Sequence, residues 1–141
     1  MKKIISIMLC VFTALSLFAC TSDKEKYPEN YEIDSDRIPS FTFVVGDREI
    51  KSSKIDSDAK TLKYTYKTDE ETYMDVYEYM SYLIDNCGGV VTRALNEGED
   101  GSCEIALPSD ESGYIITLSF DYKPKECRVT VKRFAGKIEA K

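Results

Sequence analysis

Five cysteines and no histidine set the chemistry open to this chain. Without histidine the commonest general base and the commonest zinc ligand are missing, so a cysteine nucleophile would have no imidazole to activate it. Cys87, Cys103 and Cys127 are spaced by 16 and 24 residues with no paired C-x-x-C, which does not match a zinc site. Three is an odd number, so at most one disulfide can join them, Cys103–Cys127 or Cys87–Cys103. They read first as small buried hydrophobes, with such a bridge as the alternative.

Two carboxylate groups could serve as acid and base: Asp69-Glu70-Glu71 and Asp110-Glu111. Such work needs both to converge on one cleft with separated pKa values, and no apolar pocket flanks either. The acidic segment Asn96-Glu97-Gly98-Glu99-Asp100-Gly101 begins like a calcium loop. It then fails, with Gly98 at the third position and Leu107 at the twelfth, where a bidentate glutamate is needed. It reads as a solvated hairpin turn. No phosphate-cradling loop or serine elbow is present. The residue reading therefore assigns no catalytic residues, metal or cofactor. Tyr79 and Tyr82 are candidates of another kind. They lie three apart on an otherwise polar helix face, where paired aromatics anchor a partner unless Tyr79 packs sideways onto a strand.

The elements that would position these residues can be read from periodicity. Phe41, Phe43 and Val45 alternate as a strand, Gly46-Asp47 turns the chain into a short strand Arg48–Lys51, and Lys51–Lys60 is polar loop. Leu62, Tyr64 and Tyr66 form the apolar face of the next strand. Thr68 as N-cap with Glu71 three residues on is a capping-box sequence. It opens a helix whose apolar stripe is Tyr73, Val76, Tyr77, Met80, Leu83, Ile84 and Cys87, and Gly88-Gly89 ends it. Four strands follow: Val90–Leu95; one with Cys103, Ile105 and Leu107 inward; one with Tyr114, Ile116, Leu118, Phe120 and Tyr122 inward; and one with Cys127, Val129 and Val131 inward. The fold class expected is α+β, one amphipathic helix packed on an antiparallel β-sheet in two layers, occupying residues 40–138.

The N-terminus reads as an export signal. Lys2 and Lys3 precede a 16-residue apolar run, Ile4–Ala19, and polar Thr21–Lys26 follows Cys20. The run is short for a membrane span. Leu17-Phe18-Ala19-Cys20 resembles the lipobox of bacterial lipoproteins, with Phe18 where a smaller residue is usual. The resemblance implies removal of residues 1–19 and acylation of Cys20; an ordinary cleaved signal with Cys20 as bystander is the alternative. Residues 20–39 then read as the lipidated cysteine and a flexible polar tether. Removing residues 1–19 leaves 122 residues and takes the formal charge from −6 to −8, a balance that argues against nucleic acid as a partner.

A second set of features runs through Tyr77-Glu78-Tyr79-Met80-Ser81-Tyr82-Leu83, Gly89-Val90-Val91-Thr92, Ala106-Leu107-Pro108, Gly113-Tyr114-Ile115-Ile116 and Val129-Thr130-Val131-Lys132. It resembles small envelope lipoproteins of clostridia-like Gram-positive bacteria, which carry no assigned function. What this implies is a lipid-anchored protein on the extracytoplasmic face of the cell membrane. It would be non-enzymatic and would bind an envelope protein or extracellular ligand. Two alternatives are a small carboxylate hydrolase and an inhibitor or accessory subunit of a secreted enzyme.

Overall fold

Two ten-residue strands, β7 (Tyr114–Lys123) and β8 (Glu126–Ala135), form the centre of the architecture. Alternation sends Ile116, Leu118, Phe120, Cys127, Val129 and Val131 to one face, and all six are buried there. Each large apolar side chain so withdrawn contributes about 1.5–3 kcal/mol. The computed structural model describes residues 28–96, 98 and 100–139. In chain order their elements are β1 (Asn30–Ile33), β2 (Asp36–Pro39), α1 (Phe41–Val45), β3 (Ile50–Asp56), β4 (Thr61–Lys67), α2 (Thr72–Cys87), β5 (Val90–Arg93), β6 (Gly101–Pro108), β7 and β8. The last six strands form one antiparallel sheet ordered β3-β4-β8-β7-β6-β5, while among the described residues β1 and β2 pair only with each other.

The fold is α+β, with α2 packed on the sheet as the sequence predicts. Val76, Tyr79, Met80 and Leu83 are buried against the inner face. Gly88 ends the helix in the left-handed conformation, φ 69°, and Cys103, Ile105 and Leu107 point inward as expected.

Four expectations are corrected. Residues 30–39, read as tether, form the β1–β2 hairpin, which buries Tyr31, Ile33 and Ile38 beside α2. Its few apolar residues sit at alternating positions, so a charged composition hides a half-buried pattern. Residues 41–45, read as a strand, are helical. The Ser40 hydroxyl accepts the Phe43 N–H at 3.2 Å, and Gly46, φ 92°, closes the turn. Apolar alternation over five residues does not separate the two states.

Third, β3 occupies Ile50–Asp56 rather than Arg48–Lys51. Every residue after Ile50 is exposed, so backbone pairing with β4, and not burial, places it. Fourth, the capping box does not form. The helix begins at Thr72, and the Thr68 hydroxyl bonds the Thr72 hydroxyl at 2.6 Å. The Thr68 N–H donates to Lys125 O and the Lys125 N–H to Asp69 O, so Thr68–Glu71 is tied to the β7–β8 turn.

Candidate functional site

Of the residues singled out in sequence, Tyr79 is placed furthest from expectation. It is fully buried, its ring meets Phe41 and Phe120 edge-on at 5.5 and 5.6 Å, and its hydroxyl donates to Pro39 O at 2.7 Å. It is a core residue, not a partner anchor, because α1 and the β1–β2 hairpin cover the flank of α2 that the sequence left open. Tyr82 is half-buried under Phe43, with rings 6.4 Å apart.

The three cysteines are free thiols, so neither of the two alternative bridges is formed and the reading as small hydrophobes holds for buried Cys103 and Cys127. Cys103 and Cys127 are buried, and Cys103 Sγ lies 3.3 Å from Met80 Sδ. Burial pushes the Cys103 thiol up to about 12 and raises Cys127 and Cys87 as well. Iodoacetamide at pH 8 is therefore expected to modify half-buried Cys87 first, with Cys103 and Cys127 reacting only on unfolding. Peptide mass mapping over time reads the order. Cys20 lies outside the described residues, as do Glu97 and Glu99 of the acidic turn.

The carboxylate groups do not converge. Asp69 is held at the Lys125 turn, and Glu70 pairs with Lys125 at 3.0 Å. At the other end of the β7–β8 hairpin, Glu111 bonds Arg133. Among the described residues no group of His, Cys, Asp and Glu could hold a metal ion.

Arg133, on the inner face of β8, organises a network that sequence reasoning missed. Its Nε donates to Asp36 at 2.9 Å, its Nη1 to Asp34 at 2.9 Å and its Nη2 to Glu111, while its guanidinium stacks 4.0 Å over the Tyr114 ring. Asp36 also accepts from the Ser109 hydroxyl at 2.6 Å and the Asp110 N–H at 2.7 Å. Burial raises the Asp36 carboxyl, and the Ser109, Asp110 and Arg133 hydrogen bonds outweigh it, leaving the pKa below the ordinary value. Each guanidinium nitrogen has a carboxylate partner, so the network clasps the hairpin to the sheet. Its sequence signal was weak: Asp36 and Arg133 stand 97 positions apart.

The surface best suited to a partner is the other flank of α2. Tyr73, Tyr77 and Ile84 share one helix face at i, i+4 and i+11. Met80 on that side reaches Cys103, so the flank overlooks β6 and the sheet edge. Tyr77 is 54% exposed, Met74 52% and Ile84 43%. At the edge, β5 exposes all four of its residues, including Val90 and Val91, and β6 is the one strand it pairs with. Val91 stands opposite Ile105 and thus on the helix side. An open depression of about 600 Å³, lined by Glu70, Glu71, Tyr73, Met74, Gly98 and Pro124, ends the flank. The apolar stripe read from sequence was real but wider than the sheet. Its Val76–Met80–Leu83 side is core, Tyr73 packs partly buried against it, and Tyr77 and Ile84 overhang.

Among the described residues no helix is long and apolar enough to cross a membrane. No protein-family model, curated protein or solved structure matches the chain.

Proposed function

We propose that this protein is a non-enzymatic binding module of the cell envelope, fastened to the extracytoplasmic face of the membrane by acyl chains on Cys20. Its α2 flank and β5 edge receive an extended segment of a partner protein. The observation that carries the docking face is the overhanging stripe: Tyr77, Ile84 and Val91 are left in water beside an unpaired strand edge. Exposed apolar side chains next to free backbone donors and acceptors are what strand addition uses. The opposite edge, β3, carries Lys51 and Lys54, charges that discourage pairing. Glu71 at the end of the flank, beside a Glu70 already paired with Lys125, favours a segment that carries a basic residue.

The anchor rests on the lipobox resemblance. With β1 starting at Asn30, only residues 21–27 separate Cys20 from the first described residue, a reach of at most roughly 25 Å. The docking face would then work close to the bilayer.

Both halves are testable in one strain. A photo-crosslinking amino acid at Tyr77 is expected to trap a discrete polypeptide on irradiation, while the same residue at Arg128, on the other sheet face, traps none. Equal adducts at both positions, or none at Tyr77, would overturn the docking face. So would an adduct of twice the chain mass, which would identify a second copy. Intact-mass analysis is expected to find diacylated or triacylated Cys20 at the mature N-terminus, and Cys20→Ser to abolish labelling by palmitate. Unchanged labelling of that variant would refute the anchor.

A further inference from the structure

The outer face of the sheet, away from α2, carries an arrangement that partner docking does not use. Lys54 on β3 stands directly opposite Lys63 on β4, and Thr61 stands opposite Lys132 on β8. The three lysines line a depression of about 210 Å³ with Asp56, Ala59 and Thr61. Lys51, Lys60, Lys67, Lys123 and Lys125 each have a carboxylate within 4.0 Å. Lys54, Lys63 and Lys132 have no ion pair among the described residues.

Like charges placed directly across a ladder oppose the pairing. Here a third joins them, in a chain whose formal charge is −6 and which has carboxylates to spare. The one carboxylate on the rim, Asp56, accepts the Ala59 N–H at 2.9 Å and closes the β3–β4 turn. Three ammonium groups thus stand against one carboxylate, and the place keeps a net positive charge.

We infer that Lys54, Lys63 and Lys132 form a binding site for a phosphate monoester. Three compact ammonium groups suit a multiply charged, roughly spherical phosphoryl group, whereas planar carboxylates are better matched by the arginine fork. The depression is smaller than the ~300–1,000 Å³ typical of drug-sized ligands, and it accommodates a phosphoryl group with a small substituent. Asp56 at the rim can accept a hydrogen bond from a hydroxyl on that substituent. The overall acidity of the chain, which argues against long nucleic acids, does not oppose a small anion held by a local basic cluster. The site lies on the face opposite the docking flank and does not depend on it.

The test is a titration of the full-length chain with inorganic phosphate and with glycerol phosphate, at constant ionic strength against chloride. Binding is followed by the backbone amide resonances of Lys54, Thr61, Lys63 and Lys132. Saturable shifts confined to these strands are expected, with dissociation constants in the roughly millimolar range. The double variant Lys54→Gln/Lys63→Gln should bind about tenfold more weakly, the scale set by 1.4 kcal/mol. It should also melt at a higher temperature, because the opposed charges are gone. That rise separates loss of a site from loss of the fold. Shifts no larger than those in chloride, or a double variant that binds as tightly as the parent, would overturn the inference. Association with anionic phosphatidylglycerol vesicles but not with either soluble phosphate would also overturn it and identify a headgroup surface instead.

Discussion

Asp36→Ala is expected to destabilise the fold by about 3–5 kcal/mol, the usual cost of removing one partner from a buried ion pair. Asp36 is only 2% exposed and accepts three hydrogen bonds. Its loss strips Arg133 of its most buried counter-charge and leaves the Ser109 O–H donor and the Asp110 N–H without their acceptor. Urea denaturation followed by tyrosine fluorescence measures the difference; a loss under 1 kcal/mol would mean that the clasp contributes little. Asn at the same position keeps an acceptor and should recover part of the loss.

The same network sets an acid limit. The Lys60 hydrogen bond holds the Asp34 carboxyl below its ordinary value, and Asp36 is depressed through Ser109, Asp110 and Arg133 against its own burial. A carboxylate whose folded pKa is lowered stabilises the native state above its unfolded pKa, near 4. That contribution disappears as the pH falls through the lower folded value. Stability is therefore expected to be flat from about pH 5 to 8 with respect to these groups and to fall below about pH 4. The fall should be shallower in Asp36→Ala, since one of the responsible groups is gone.

Tyr79→Ala is expected to cost about 3–5 kcal/mol, the range for deleting a buried aromatic ring. The ring fills the junction of α1, α2 and β7, in contact with Phe41 and Phe120. Tyr79→Phe keeps the ring and removes the donor to Pro39 O, so it should cost about 1–3 kcal/mol through an acceptor left unpaired. Tyr82→Ala, at a half-buried position, should fall below both. If Tyr79 and Tyr82 proved equal and mild, Tyr79 would be a surface residue after all and its placement in the core would be wrong.

The contrast between those two tyrosines indicates what could be read from the sequence. Strands β4, β6, β7 and β8 and helix α2 announce themselves because each buries one face, and burial writes a period into the sequence. Of the elements misread before α2, two leave no such record. β3 is held by backbone bonds and exposes its side chains. α1 is too short for 2- and 3.6-residue periods to diverge. The hairpin β1–β2 was concealed by charge, and the charge was itself structural, since Asp34 and Asp36 serve Arg133. Helical spacing gave the stripe on α2 correctly but could not say how much of it the sheet would cover. The two readings of Tyr79 could not be separated for the converse reason, because what covers it comes largely from α1 and the hairpin, segments the pattern concealed. The lysine triad was invisible because its members come from three strands and meet only through register.

Because β1 and β2 share no ladder with the main sheet, backbone hydrogen bonding does not bind them into it; side chains do. Tension entering the chain at residue 28 would meet the Ser40 bonds to Pro28 and Glu29 first. It would then reach the Asp36–Arg133 clasp, and the six-stranded sheet only after that. Force applied there would thus peel the hairpin as a flap while the sheet kept its shape.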